Sequence, residues 1–357
     1  MKYRQPPARG VSLVELMVAM TIGLILVAAV IGVYLAQTRT YKTTNSQASI
    51  QNAENAISAL LTPTIRAAGF SGCATLVQAL SNLNPGGPAP LGTLGANPSM
   101  LMGYDAGTTL TISKDNAAND SNAGDWSPSL DASLAGNVEA GSDVLVVLGT
   151  IPGSQPVGVV TIGSGSNSLV VQNATGSGIS VGQFGAVSDC LKTSVFQITA
   201  VAGNTLTHAA GSGALANTSD FLAVNYPIGS QFVPLQQIAF FVAQGQGGQS
   251  ALMRATLNGA TWTIQPLVPG VETMQVLYGI GSNGALTQYV TANAVVNWAQ
   301  VYAVRLGFLI EGQAGSGSAS STNPTQFTVL GSSVTAPADN RLRHVYEMII
   351  NLRNSTS

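Results

Sequence analysis

Residues 1–37 read MKYRQPPARG-VSLVELMVAMTIGLILVAAVIGVYLAQ, and this stretch decides the architecture of the chain. The first ten residues are basic through Lys2, Arg4 and Arg9, and Pro6 and Pro7 oppose helix there. From Leu16 to Ala36 there is no charge, and Leu, Ile, Val, Met and Ala dominate. About 20 such residues at a rise of about 1.5 Å each span a bilayer core. Basic residues ahead of the run orient the N-terminus to the cytoplasm by the positive-inside rule, so everything after Arg39 is expected outside the cytoplasmic membrane. An ordinary secretory signal has the same basic-then-apolar order. Here the apolar run is too long for one, and no small-residue cleavage site follows it.

Instead the pattern continues as helix. Ile50, Ala53, Ile57, Leu60, Leu61 and Ile65 recur at steps of three and four, with Gln, Asn, Thr and Ser on the opposite face. Pro63 and Gly69 are expected to end it. A helix from Val11 to Thr62 would be about 75–80 Å long, apolar all round in its first half and amphipathic in its second. Glu15 is the anomaly. A carboxylate inside such a run costs on the order of 2.5–3.5 kcal/mol at a bilayer centre, less near an interface. No basic residue lies beside it to neutralise it.

The arrangement Arg9-Gly10 followed by Val11-Ser12-Leu13-Val14-Glu15-Leu16 resembles the start of type IV prepilins. In that family a short basic leader ends in Gly, and a dedicated inner-membrane peptidase cuts after it. The resemblance implies cleavage between Gly10 and Val11, N-methylation of Val11, and an assembly role for Glu15. There the freed amine of one subunit pairs with the carboxylate of a neighbour, so both charges are neutralised. Val11 stands where the family usually has Phe. Later segments are similar to PilW-type minor pilins in order: Ala68-Gly69-Phe70-Ser71-Gly72-Cys73, Gly141-Ser142-Asp143-Val144-Leu145, and Ser188-Asp189-Cys190 leading to Val195-Phe196-Gln197-Ile198-Thr199. They continue with Leu267 to Gly279, Val304-Arg305-Leu306, and Asp339 to Asn354. The resemblance implies a subunit that helps initiate the pilus, at or near the fibre tip, serving twitching motility and cell adhesion. Its implied partners are the prepilin peptidase, other minor pilins, the major pilin and the inner-membrane assembly platform. It would sit in the inner membrane as a single-pass protein with a periplasmic C-terminal domain, and later in the pilus at the cell surface.

Composition agrees with an exported, β-rich domain: only 8% of the 357 residues are charged and 40 are Gly. Without the first ten residues, ten basic groups face 15 acidic ones, which argues against a nucleic-acid partner. Cys73 and Cys190 are the only cysteines. In an exported chain that count reads as one disulfide, the alternative being two separate buried thiols. A bridge over so long a loop would stabilise the fold by about 4–5 kcal/mol in the chain-entropy model.

The expected fold is α+β, a long N-terminal helix packed against a β-sheet-rich domain. The expected division is a leader at 1–10, a membrane and fibre-core half-helix at 11–36, and an amphipathic half at 37–68. A loop-rich insertion at 69–141 and a β-rich domain at 142–357 follow. Pro85, Pro88, Pro90 and Pro98 predict irregular surface structure in the insertion. Strands are predicted at Asp143–Leu148, Val157–Ile162, Val195–Val201, Ile238–Ala243, Ala251–Leu257, Val271–Tyr278, Val301–Ile310 and His344–Arg353. In Ala303 to Phe308 the even positions are apolar, as in a half-buried strand. Trp126, Trp262 and Trp298 read as core or turn aromatics.

No catalytic pattern is present: there is no GxSxG, HExxH or Walker sequence, and His208 and His344 sit in no triad or metal motif. Neither a metal nor a cofactor is expected, and the chain is not read as an enzyme. Asp120 to Asp131 loosely resembles a calcium loop, but Asp125 stands where Gly is needed and Asp131 where Glu is needed. Arg341, Arg343 and Arg353 form either an electropositive spot or ion pairs with Glu272, Asp339 or Glu347. Two alternatives share the fold: a minor pseudopilin of a type II secretion system, and a tip adhesin using the Pro/Gly/Asn-rich insert.

Overall fold

The computed structural model describes residues 10, 12–72, 79–84, 99–107, 109–112, 119–120, 122–131, 133–151, 154–162, 167–213, 215–222, 224–258, 261–282, 285–317 and 324–354. The leader before Gly10, Val11 and Cys73 lie outside them. Helix α1 spans Leu13–Arg66, 54 residues or about 80 Å. Ser12 caps it in extended conformation, and Glu15 falls in the first turn, where a negative charge suits the helix dipole. The expected stop at Thr62 is corrected. Pro63 lies inside the helix, which runs on to Arg66, because a missing N–H so close to the end disturbs little. Gly69, at φ +75°, makes the turn that no side chain adopts easily, and its N–H donates to the Leu148 carbonyl at 2.9 Å.

The two halves of α1 differ in what covers them. Ser46, Ile50, Ala53, Ile57, Leu61 and Ile65 form one buried stripe at helical spacing. It packs between two sheets. One is a 12-stranded sheet organised around the long strand Gln231–Gln244. The other is a four-stranded antiparallel sheet in the order 285–290, 271–282, 301–311, 343–351. Leu145, Val147, Ile238, Phe240 and Val242 face the stripe from the first sheet, and Val276, Val304, Leu306, Phe308 and Ile350 from the second. Each Ile or Leu so buried is worth about 1.5–3 kcal/mol.

The predicted strands are present with shifted ends, except that Val195–Val201 breaks at Ile198 and Thr199 into Thr193–Gln197 and Ala200–Ala202, which pair with different neighbours. Gln231–Gln244 starts seven residues before the expected Ile238 and includes Pro234. It changes partners there: residues 231–235 pair with Phe184–Ser188, and 235–240 with Val144–Thr150. The strand at 301–311 is more buried than alternation predicts. Val304, Leu306 and Phe308 face the helix, while Leu309 on the other side packs on Val329 and Val334. Its first sheet partner beyond the family of predicted strands is Ala285–Val290, reached through 271–282.

The insertion is corrected as well. Leu101–Tyr104 is a buried strand on the edge of Val144–Thr150. Trp126, Leu130, Leu134 and Val138 join Tyr104, Phe241 and Met253 in a second core. Among its described residues, this segment supplies core and not only surface. Trp126 donates from Nε1 to the Ser142 carbonyl at 2.9 Å, which is why an indole can be buried there.

Candidate functional site

From Leu13 to Tyr41 nearly every apolar side chain faces outward; Leu24 is 71% exposed and Tyr41 71%. This half of α1 is long and apolar enough to cross a membrane, and none of its most apolar window is buried inside the chain. An uncovered apolar cylinder of this length requires a nonaqueous surround, whether lipid or other helices. Glu15 sits on the same exposed arm with Gly10 just ahead of its first turn.

The arm ends at a clasp. The Thr43 hydroxyl donates to the Ser316 carbonyl at 3.0 Å, and the buried Ser46 hydroxyl accepts the Gln313 N–H at 3.0 Å. Ser316 itself is tied back, donating to the Gln313 carbonyl at 2.6 Å and accepting the Leu342 N–H at 3.1 Å. Lower down, Glu54 and His344 meet at 2.7 Å, and Asn354 donates to the Ala68 carbonyl at 2.9 Å. The domain therefore grips α1 along its second half at both ends of the buried stripe.

Below the clasp lies an ionic centre. Arg343, almost wholly buried, binds Glu272 through both carboxylate oxygens at 2.7 Å and Asp339 likewise at 2.7 Å. Arg341 reaches Glu311 at 3.3 Å and Asp339 at 3.5 Å. Arg305 pairs with Glu347 at 2.7 Å. The C-terminal arginines are thus ion-pair partners, the second of the two readings of the sequence; Arg353 remains exposed, and its backbone N–H meets the Arg66 carbonyl. Burial pushes Glu272 up to about 7 against the opposing pull of Arg343.

Two buried acids escaped sequence reasoning. Asp143 accepts the N–H groups of Ala106 at 2.9 Å and Val276 at 2.8 Å, one on each oxygen, and burial pushes it up to about 8. Glu139 is 2% exposed. The only signal available for either was a lone acid inside an apolar stretch, as at Asp143 before Val144 to Leu148. His208 is buried against Phe196, with ring centroids 5.0 Å apart, and His344 is a surface residue, so neither belongs to a catalytic group. Among the described residues, no group of three or more His, Cys, Asp or Glu is placed to hold a metal. Part of the calcium-like stretch, including Ser121, lies outside them. Cys190 sits at φ +70° in the turn between 184–188 and 193–197, and among the described residues no cysteine is free.

A long helix that is bare in its first half and clasped to β-sheets in its second is the plan of a type IV pilin. Residues 6–31 match the model of the prokaryotic N-terminal methylation motif, and residues 239–354 match that of type IV pilus-assembly protein W. Over its start and its C-terminal part the chain is thus similar to type IV pilus-assembly proteins of the PilW family. The PilW match covers the whole four-stranded sheet and the hairpins before it. No curated protein matches the chain. Among solved structures, a type IV-like pilin, TTHA1219 from Thermus thermophilus, is 19% identical over 50% of this chain and 87% of its own, with a TM-score of 0.21. Superposition that poor carries no argument, and the pilin plan rests on the chain's own elements.

Proposed function

We propose that the protein is a minor pilin that helps initiate and assemble the type IV pilus, at or near its tip. The observation that carries this reading is the bare apolar arm joined to a methylation motif and to a PilW-type domain. Prepilin peptidase cuts between Gly10 and Val11 and Val11 is methylated, so that Glu15 becomes the fifth residue of the mature chain. Before assembly, the arm holds the chain in the inner membrane with the β domain in the periplasm. In the fibre the arm packs among the helices of the major pilin and other minor pilins, and Glu15 neutralises the terminal amine of a neighbour. The β domain makes lateral contacts. Cys73 and Cys190 form the disulfide, a reading supported by the exported location and by the even cysteine count.

Two measurements test this. The first is intact mass of the membrane-extracted chain from cells with and without prepilin peptidase. A chain that starts at Val11, carries a methyl group and depends on the peptidase is the expected result. A chain that still starts at Met1 with peptidase present overturns it. The second is surface pilus number after deletion of the gene: normal numbers of pili would remove the assembly role.

A further inference from the structure

We propose that the two edges of the four-stranded sheet are complementary: strand 343–351 of one copy docks strand 285–290 of a second copy beside it, so that the sheet runs on from body to body. This pairing rests on the assembly reading above and names the partner of its lateral contact.

The ladder fixes which backbone groups are free. Strands 301–311 and 343–351 pair without a register shift from Ala303 with Asn351 to Glu311 with Arg343. Just beyond the two ends, the Gly312 N–H donates to the Leu342 carbonyl at 2.7 Å and the Leu352 N–H to the Tyr302 carbonyl at 2.9 Å. Antiparallel partners alternate between bonded and unbonded pairs, so the even residues of 343–351 commit their backbone groups to 301–311 and the odd ones point theirs away. The Arg353 N–H points away in this sense, to the Arg66 carbonyl, which closes the upper end. Below it, Val345, Glu347, Ile349 and Asn351 present an edge that no other strand or loop bonds among the described residues. Carried across the sheet, the same alternation turns the backbone groups of Tyr289 outward from the opposite edge. Thr261–Pro269, an edge of the larger sheet, carries two prolines, whereas Arg343–Asn351 has no Pro, Gly or Lys to blunt it.

Polarity selects the occupant. The strand runs the same way as α1, from His344 beside Glu54 to Arg353 beside Arg66. Copies whose arms enter one membrane or one fibre share that direction, so two 343–351 strands would meet parallel. A two-fold axis would then set each odd residue level with itself, where a parallel ladder needs a stagger of one residue. Strand 285–290 runs the opposite way, because every neighbour in this sheet is antiparallel. A copy displaced sideways therefore offers it antiparallel to 343–351, with the outer faces of both sheets aligned. Such a contact is heterologous and repeats from copy to copy, as a fibre requires.

The side chains agree with this pairing. Ile349 is 56% exposed and Leu286 is 44% exposed. A Cβ on Gly279 would meet Leu286, Tyr289 and Ala303, and Ala303 is the partner of Asn351, two residues on from Ile349. All of these share the outer face, since side chains alternate along a strand. Continuing the sheet sets Ile349 of one copy against Leu286 and Tyr289 of the next and takes apolar surface out of water. Strand 285–290 has no charged residue and Glu347 already holds Arg305 at 2.7 Å, so no like charges face each other.

The test is cross-linking of the full-length chain in cells that make pili, with two tagged copies co-expressed, one carrying Ile349→Cys and the other Leu286→Cys. With a short bismaleimide on the isolated inner membranes, a covalent dimer is expected from the mixed pair and from neither variant alone, Cys73 and Cys190 being common to all samples. Glu347→Pro in the Ile349→Cys copy removes an outward N–H and leaves the ladder to 301–311 whole. It is expected to abolish the dimer with little change in the melt, whereas Met348→Pro breaks a ladder bond and should lower the melt. If Glu347→Pro does not fold, Tyr289→Pro in the Leu286→Cys copy serves, and the dimer should again be lost. A dimer from Ile349→Cys alone, a cross-link to a different pilin in place of a second copy, an undiminished dimer in the folded proline variant, or no dimer at all overturns the proposal. The assembly reading fails separately, by normal pilus numbers after deletion of the gene; a missing dimer in cells whose pili need the gene sinks the edge contact alone.

Discussion

The Ser142 hydroxyl accepts the Met274 N–H at 3.1 Å and donates to the Met274 carbonyl at 3.3 Å. Asp143 adds its own N–H to the same carbonyl at 2.9 Å, and its carboxylate takes the Val276 N–H. One Ser-Asp pair thus supplies the backbone partners that the end of a sheet would otherwise lack, and stitches the 12-stranded sheet to the four-stranded one.

Asp143→Asn keeps the shape but turns one acceptor into a donor. One of the N–H groups of Ala106 and Val276 then loses its partner inside the core. The expected cost is about 1–3 kcal/mol, read as a lower midpoint of urea unfolding with an unchanged slope.

Arg343→Ala should be far more damaging than Arg305→Ala. The first leaves Glu272 buried without its cation and takes from half-buried Asp339 its bidentate partner, leaving it Arg341 alone, at a cost of about 3–5 kcal/mol. The second breaks a pair that is more than a third exposed on the Arg side, with an effect of about 0–1 kcal/mol. Thermal unfolding of the two variants side by side measures the contrast.

His208 predicts an acid limit to the lobe built from 168–171, 200–202 and 205–207. Burial holds its imidazole below the ordinary value of 6.5, opposed only in part by Asp220. A base with a depressed folded pKa is protonated first in the unfolded chain, so stability should fall as pH drops below about 6.5. His208→Phe, its ring set against Phe196, should remove that part of the slope in circular dichroism melts taken from pH 7 down to 5.

The halves of α1 should answer to different assays. Ile57→Ala empties a fully buried position and should cost about 2–5 kcal/mol of domain stability. Leu24→Ala touches nothing in the domain and should leave its melt unchanged. If the proposed function holds, Glu15→Ala also leaves the melt alone and lowers the number of surface pili counted by electron microscopy.

Cys190→Ser tests the pairing with Cys73. The intact protein should weigh less than its reduced form by two hydrogens, and the variant should show no such difference. Loss of a native bridge is expected to lower stability by about 2–5 kcal/mol.

Sequence reading reached what local pattern dictates. The stripe from Ile50 to Ile65 named the buried face of α1 in all but one member, Leu60, which lies at the edge of that face and stays 43% exposed. The strands at 157–162 and 301–311 were legible from β-branched runs. Thr261–Pro269 was not among the predicted strands; its Pro266 and Pro269 are tolerated since this strand pairs only with Ser250–Asn258, leaving its other side free of ladder bonds among the described residues. Leu101–Tyr104 was hidden among Pro and Gly and becomes a strand only when Val144–Thr150 is beside it. Glu139 and Asp143 could not be foreseen as core, since what makes an acid tolerable there is a partner more than 100 residues away.

The clasp at Thr43 also sets a height. From Leu13 to Lys42 the arm is 30 residues, about 45 Å of rigid rod, whereas a hydrocarbon core is about 30 Å thick. Set upright in a bilayer, the rod would carry the folded body about 15 Å clear of the hydrocarbon, on a stalk too stiff to bow down to it. Beneath it would be a gap about as tall as one helix is wide, through which lipid headgroups and the stalks of other subunits could pass before any two bodies touch.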